Sequence, residues 1–573
     1  MTATLVALAC HASLALGYRF YSRYLAGSLF RLSPEEPVPA VEQEDGVDFV
    51  PTKAEVLWGH HFSSIAGAAP ILGPAMAIVW GWVPALLWVV FGVVFMGAAH
   101  DFGALVLSIR HRGNTIGNLA ARFIGPRSRV LFLLVIFFLI WLVGAVFAFA
   151  IAGLFTRFPA SVLPVNLEIP VAMAIGWWGY KRGRSLLLPS IAALLLLYGM
   201  IFGTATGSLW VPAEGSLLAS KDFWLVALML YAYVASSLPV WFLLQPRDLI
   251  NSHQLLVGLV ALYAGFFLLA PEFAAPPVGE LSALPAIFPL LFVTIACGAI
   301  SGFHGLVSSG TTSKQLGRAP DARPIGYGAM LCEAALAILA TLAVACGLWA
   351  GAEHTHAWGF LESRVQAGAA DGLLPLPQVG EALMAFVQGA ASFLASLGIP
   401  SEVGMTVVAV LVISFAATSL DTALRIQRMV LAELGGIYRV RPLQNRWVGG
   451  AVAAGSVLVL IYADYDQGAK SLWPVFGATN QVLAAFTLLI TALYLRGLGR
   501  RSRAYALPAV IVMGITICAM IVQVQRDLVA GKWLVTAVGA VIGVLTLWVA
   551  LEGALAWRRG PATPGGGSAE LGP

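Results

Sequence analysis

The chain has 573 residues, of which 59% are hydrophobic and 11% charged, and its formal net charge is +5. Soluble chains carry about 25% charged residues, which excludes a soluble core-rich enzyme, and apolar runs of twenty or more residues exclude a transmembrane β-barrel built from strands of about ten. What remains is an all-α polytopic membrane protein whose excess arginines face anionic lipid rather than nucleic acid.

Sixteen apolar segments of near-spanning length follow in order, at about 2–25, 62–81, 83–109, 128–155, 164–180, 184–204, 223–245, 252–270, 285–307, 325–350, 377–397, 403–426, 446–463, 471–495, 504–525 and 532–557. The first has neither a basic start nor an A-x-A site, so it is expected as a retained helix rather than a cleaved signal. The second opens with HHFSSIAGAAPILGP at 60–74. Pro70 and Pro74 lack an N–H and leave carbonyls about four residues upstream without partners, and Gly67 and Gly73 loosen the same stretch. Such carbonyls cannot face lipid. The helix is therefore expected to break where it lines a cavity, the usual pointer to a transporter's substrate site. His60 and His61 point to different helix faces, so one at most faces that cavity. Each is a proton-relay candidate or an interfacial histidine bonded to water or a carbonyl.

The third segment carries His100 and Asp101, about two turns from its end. A carboxylate at that depth needs a partner or a proton, so Asp101 is a candidate for the coupling proton or for a bond between helices. GFHGLVSSGTTSKQ at 302–315 gathers His304, Ser308, Ser309, Thr311, Thr312 and Lys314, with Gly305 and Gly310 permitting a local unwinding. Hydroxyls without fixed negative charge suit Na⁺ or a bound carboxylate, although hydroxyls in membrane helices often bond only their own backbone. Asp421 lies one helical turn before Arg425, so a local salt bridge competes with a coupling role. Pro474 and Gly477, ahead of Asn480 and Gln481, predict another interrupted span with inward-facing amides. The five cysteines, Cys10, Cys297, Cys332, Cys346 and Cys518, form no CxxC pair and are expected as core residues. No metal site is expected.

Loop cations set the sidedness. Arg110, Arg112, Arg122, Arg127 and Arg129 mark a cytoplasmic end after the third segment. Alternation from there puts Lys181, Arg182 and Arg184, then Arg247, then Lys314, Arg318 and Arg323, on the same side. If 377–397 spanned, Arg425, Arg428, Arg439, Arg441 and Arg446 would fall outside, so that segment is expected to be re-entrant or interfacial. The N-terminus is then outside and the C-terminus cytoplasmic. One integral membrane unit is expected over 1–557, with an N-terminal helix and loop to 55, a transporter core at 56–426 and additional helices at 427–557, followed by a disordered Gly/Pro-rich tail at 558–573.

Taken together, HHFSSIAGAAPILGP, AHDF at 99–102, PVWFLLQPRD at 239–248, GFHGLVSSGTTSKQL with DARPIGYGAM at 321–330, TSLDTALR at 418–425 and LWPVFGATNQ at 472–481 resemble the carbon starvation protein A family, in its order over roughly residues 18–500. The resemblance implies a bacterial inner-membrane secondary transporter, not an enzyme and without a cofactor, importing pyruvate or short peptides under carbon starvation. It implies H⁺ as coupling ion, with Na⁺ as the alternative. It also implies about 15–16 transmembrane helices around a five-helix inverted-repeat core with broken helices. In such a core 62–81 is expected as the first, broken helix, 223–245 with Pro239 and Pro246 as its inverted partner, and 285–313 as the eighth core helix. Substrate contacts are expected at His61, Gly67, Pro70, Gly73, His304, Ser308, Asn480 and Gln481. Ion or proton coupling is expected at His60, Asp101, Ser309, Thr311, Thr312 and Asp421. Three rivals are a sodium-coupled carboxylate or amino-acid transporter, a membrane redox protein whose haem or metal is held by facing histidines, for which His60, His61, His100 and His304 are the candidates, and a sensor or channel without coupled transport.

Overall fold

The computed structural model describes residues 2–560 apart from 47, 184–185, 240, 280–286, 351–353, 371–375, 464, 466–468 and 470. The expected disordered tail therefore lies outside the described residues from 561 onward. Among the described residues there is no strand, only two isolated backbone bridges. The helices are α1 (Ala3–Phe30), the bent pair α2 (Ala54–Ile65) and α3 (Ala69–Ala77), then α4 (Trp82–Arg110) and the short α5 (Ile116–Phe123). Next come α6 (Pro126–Arg157), α7 (Val162–Arg182), α8 (Leu187–Ala205), α9 (Lys221–Ser237) and α10 (Leu244–Leu269). Three short helices follow, α11 (Ile287–Thr294), α12 (Ala296–Ala299) and α13 (Gly302–Gly310). The rest are α14 (Ala319–Cys346), α15 (Ala357–Ala370), α16 (Val379–Ser396), α17 (Ser401–Ile437), α18 (Arg446–Ala463), α19 (Leu472–Gly497), α20 (Arg503–Val529) and α21 (Trp533–Arg559).

Thirteen described helices are individually long and apolar enough to cross a bilayer, and the α2–α3 pair, bent by 45°, makes a fourteenth. The protein is an all-α polytopic membrane protein. Two of the predicted segments differ in shape: α9 has 17 residues, and 285–307 is split into α11, α12 and α13. The split falls at Ile295 and at Ile300–Ser301, where the backbone leaves the helical region. Gly305 is helical, so the main unwinding lies upstream of it, while at Gly310 the α-helix ends and a short 3-10 turn follows at Thr312–Lys314. The first break falls at Ala66–Ala68. Pro70 sits in the first turn of α3, where its missing N–H costs little, and Pro74 is accommodated inside α3.

The packing has a two-fold logic. α6 lies along α17 at the centre, and α9 and α18 each pack against both of them and against one another. α10 packs on α2, α16 and α17, and α19 packs on α13, α5 and α6. Exchanging α2–α3, α4, α5, α6, α9 and α10 for α11–α13, α14, α16, α17, α18 and α19 preserves these neighbours. On these contacts α11–α13, which packs directly on α3, takes the position that answers to the first broken helix, rather than 223–245. α17 takes the position that answers to α6, rather than 285–313.

α16 has 18 residues and is one of the helices long and apolar enough to cross, where the loop cations predicted a re-entrant or interfacial segment. Its Ser392 Oγ accepts the Leu348 N–H at 3.0 Å, and its Ser396 Oγ donates to the Gly265 carbonyl at 2.8 Å. These partners lie at the ends of α14 and α10, and α17 starts back from there. α19, by contrast, runs unbroken through Pro474 and Gly477. Gly477 is a close-packing position rather than a hinge: a Cβ there would lie 1.9 Å from the Val293 carbonyl oxygen. Small residues of this kind hold helices together in lipid, where apolar surface alone gives no drive to associate.

Candidate functional site

A cavity opens at the α2–α3 break. Its lining includes Ile65, Gly67 and Ala69 from the break, Phe147 from α6, Phe303 and His304 from α13, Ser419 from α17 and Phe476 from α19. It is mostly apolar and offers the centre of a water molecule only ≈ 20 Å³ of room. Gly67 is needed because a Cβ would meet Ser419 Oγ at 2.4 Å. Ser419 Oγ is buried and has no hydrogen-bond partner.

His304 ties this cavity to a buried ionic cluster. Its Nδ1 lies 3.0 Å from Asp101 Oδ2, and its Nε2 lies 3.4 Å from Glu333 Oε2. Asp101 Oδ1 is 2.7 Å from Nδ1 of the adjacent His100. All four side chains are at most 1% exposed. α4 supplies Asp101 and His100, α13 supplies His304, and α14 supplies Glu333. The cluster therefore couples the second broken helix to the helices on either side of it.

A second buried cluster sits on the other flank of α17. Arg247 Nη1 donates to Asp421 Oδ2 at 2.6 Å and to Tyr231 Oη at 2.7 Å, and its Nε lies 3.6 Å from Glu168 Oε1. Tyr231 Oη donates to the same Asp421 oxygen at 2.7 Å, and Ser414 Oγ donates to Glu168 at 3.1 Å. The predicted Asp421–Arg425 bridge is replaced by this longer-range one. Arg425 instead donates to the Ala235 and Leu238 carbonyls at the end of α9. Arg247 is 1% exposed, a core cation rather than a loop anchor.

The remaining predicted residues divide clearly. Gly67 and His304 line the cavity, whereas His61, Pro70, Gly73, Ser308, Asn480 and Gln481 do not. Gly73 is a crossing contact, since a Cβ there would lie 2.6 Å from the Thr294 carbonyl oxygen. Asn480 Oδ1 accepts the Phe303 N–H at 2.9 Å and so caps α13, and Gln481 donates to the Phe292 carbonyl at 2.7 Å. His60 Nδ1 pairs with Asp248 at 3.0 Å, and His61 Nδ1 pairs with Thr312 Oγ1 at 2.8 Å. The two histidines do face different ways, and among the described residues neither is bonded to Asp101. Ser309 and Thr311 donate back to the Gly305 and Val307 carbonyls. The backbone-bonding reading thus accounts for two of the four hydroxyls proposed for sodium, while Ser308 Oγ is buried without a partner.

Glu333, Glu168 and Tyr231 were not singled out from the sequence. Glu333 and Glu168 each stand alone as a carboxylate within an apolar run, MLCEAALAILA and VLPVNLEIPVAM. Isolation of that kind is itself the signal.

The sequence profile of the family described as Carbon starvation protein CstA matches residues 2–519. The chain is 32% identical to a peptide transporter CstA of Bacillus subtilis (strain 168) over 526 residues, covering 86% of this chain and 85% of the relative. It is 33% identical to a pyruvate/proton symporter BtsT of Escherichia coli (strain K12) over 548 residues, covering 83% and 75%. It is also 33% identical to a peptide transporter CstA of Mycobacterium tuberculosis (strain ATCC 25618 / H37Rv) over 554 residues, covering 87% and 72%.

Proposed function

This chain belongs to the carbon starvation protein CstA family, and we propose that it is a secondary active transporter that imports pyruvate or short peptides together with protons across a bacterial inner membrane. The observation that carries the reading is His304. One imidazole touches the cavity at the helix break and, through Asp101, a carboxylate that ordinary packing would not bury. The substrate carboxylate sits at the break, facing the N-terminal end of α3, where the helix dipole favours negative charge. Its own charge then lies beside His304, so binding favours a proton on the His304–Asp101 pair, and dissociation releases it.

The arginine-rich helix ends support the orientation. Arg129 pairs with Glu433 at 2.6 Å, and Arg110 donates to Tyr494 at 3.3 Å, which gathers the basic ends of α4, α6, α17 and α19 on one side. We assign that side to the cytoplasm, with the N-terminus outside and the C-terminus inside. The histidines give no support to axial ligation, because His60, His61, His100 and His304 each bond to a carboxylate or hydroxyl rather than facing one another across a gap.

The test is uptake of labelled pyruvate, and of labelled dipeptide, into proteoliposomes under an imposed proton gradient and then a sodium gradient. Proton-driven accumulation against a gradient, competed by unlabelled substrate, is the expected result. Accumulation under sodium alone would transfer the coupling role to Na⁺, and downhill equilibration under either gradient would make the protein a channel.

A further inference from the structure

Glu333 has no place yet in this scheme. It stands on α14 at 0% exposure, and neither carboxyl oxygen has a hydrogen-bond partner. Its ion-pair neighbour among the described residues is His304, whose Nε2 lies at 3.4 Å. Around it the titratable groups are His304 on α13, Asp101 and His100 on α4, Cys297 on α12, and His61 on α2 beyond His304. Among the described residues no guanidinium or ammonium is paired with it, unlike Asp421. A bare carboxylate buried in that way costs several kcal/mol.

The donor count supplies the next step. A neutral imidazole has one N–H and one lone pair. Asp101 is flanked at both oxygens, by His100 Nδ1 on one and by His304 Nδ1 on the other, and as a carboxylate it accepts an N–H from each. With its N–H on Nδ1, His304 presents a lone pair at Nε2, and that lone pair faces Glu333. A carboxyl O–H is the group that completes the row, as Glu333 O–H to His304 Nε2 and His304 Nδ1–H to Asp101. From this geometry we infer that Glu333 carries the transported proton and that His304 passes it between Glu333 and Asp101 beside the substrate cavity. In the transfer the O–H bond of Glu333 breaks as an N–H bond forms at His304 Nε2. The Nδ1 proton moves to Asp101, leaving His304 neutral in its other tautomer, so one proton has crossed the imidazole and the total charge is unchanged. Histidine is the side chain suited to such a step near neutral pH. The inference rests on the proton-coupled reading above and adds the residue that holds the proton.

The test uses the full-length protein in proteoliposomes with Glu333→Gln, which keeps the shape and cannot release a proton. Exchange of labelled for unlabelled pyruvate at equal concentrations across the membrane needs no net proton release, so it is retained. Proton-driven accumulation is lost. A carbonyl-stretch band of a protonated carboxyl group in the infrared spectrum of the wild type disappears in the variant, a readout that does not depend on pyruvate being the substrate. Wild-type accumulation in Glu333→Gln, loss of exchange from a variant that melts like the wild type, or an unchanged infrared spectrum would each overturn the inference. Should the Gln variant fail to fold, Glu333→Asp is the second arm: accumulation with a displaced pH midpoint supports the role, and an unchanged midpoint removes it. A wild-type protein that shows no proton-driven accumulation overturns the transport reading itself, and this inference with it.

Discussion

The two buried clusters are built from similar acids and differ in their base. Around Arg247 the base is a guanidinium that keeps its proton under all physiological conditions, so Asp421 and Glu168 are held by a fixed charge. Around His304 the base is an imidazole, whose charge is conditional, set between Asp101 and Glu333. The first cluster pins α7, α9, α10 and α17 together, and its Tyr231 and Arg247 border a different cavity. The second shares a residue with the cavity at the break. A membrane interior can thus hold carboxylates for two purposes, and the identity of the cation separates them.

The sharpest way to break this contrast is at the fixed charge. Arg247→Met leaves Glu168 and Asp421 uncompensated and is expected to cost about 3–5 kcal/mol of stability, read as a large fall in the melting temperature in detergent. Melting like the wild type would make the two clusters equivalent. Asp101→Asn is expected to cost less stability, since no fixed cation is left unpaired, while proton-driven uptake no longer builds a gradient of pyruvate. Uptake equal to the wild type with the same pH dependence would move the coupling away from this cluster. Gly67→Ala is the next smaller effect. Its Cβ would crowd Ser419 Oγ at 2.4 Å, costing about 1–2 kcal/mol, seen as weaker apparent substrate affinity, and Ser419→Ala in the same chain is expected to recover most of it. Thr311→Val is the smallest, because the hydroxyl bonds only the Val307 carbonyl. A change within about 0.5 kcal/mol is expected, with no altered response to sodium.

The same contrast explains what could be read before the fold was known. The α2–α3 break was legible because proline and glycine act locally, through a missing N–H and a missing Cβ. The residues joined over a long sequence separation were not. Asp421 has Arg425 one turn away, and nothing local says that Arg247, 174 positions earlier, outcompetes it. Arg247 follows Pro246 and resembles a loop anchor until α10 is seen to begin at Leu244. Proline also misled. The stretch with Pro239 and Pro246 resembled the inverted partner, whereas the true second break, at 295–301, has no proline and bends where α12 gives way to α13. Pro474 and Gly477 resembled a break and are an ordinary first turn and a packing contact. The hydroxyls of 308–312 looked collective because they are dense, yet density does not show which way each one bonds.

The tightness of the cavity has a consequence for how the cell experiences this protein. Room for about one water beside His304 means that admitting a substrate requires the helices around the break to move apart. Each passage is a separate event paced by helix motion, which in enzymes and carriers falls on microsecond-to-millisecond timescales. Flux then scales with the number of copies in the membrane rather than with the size of the external pool, once that pool is saturating.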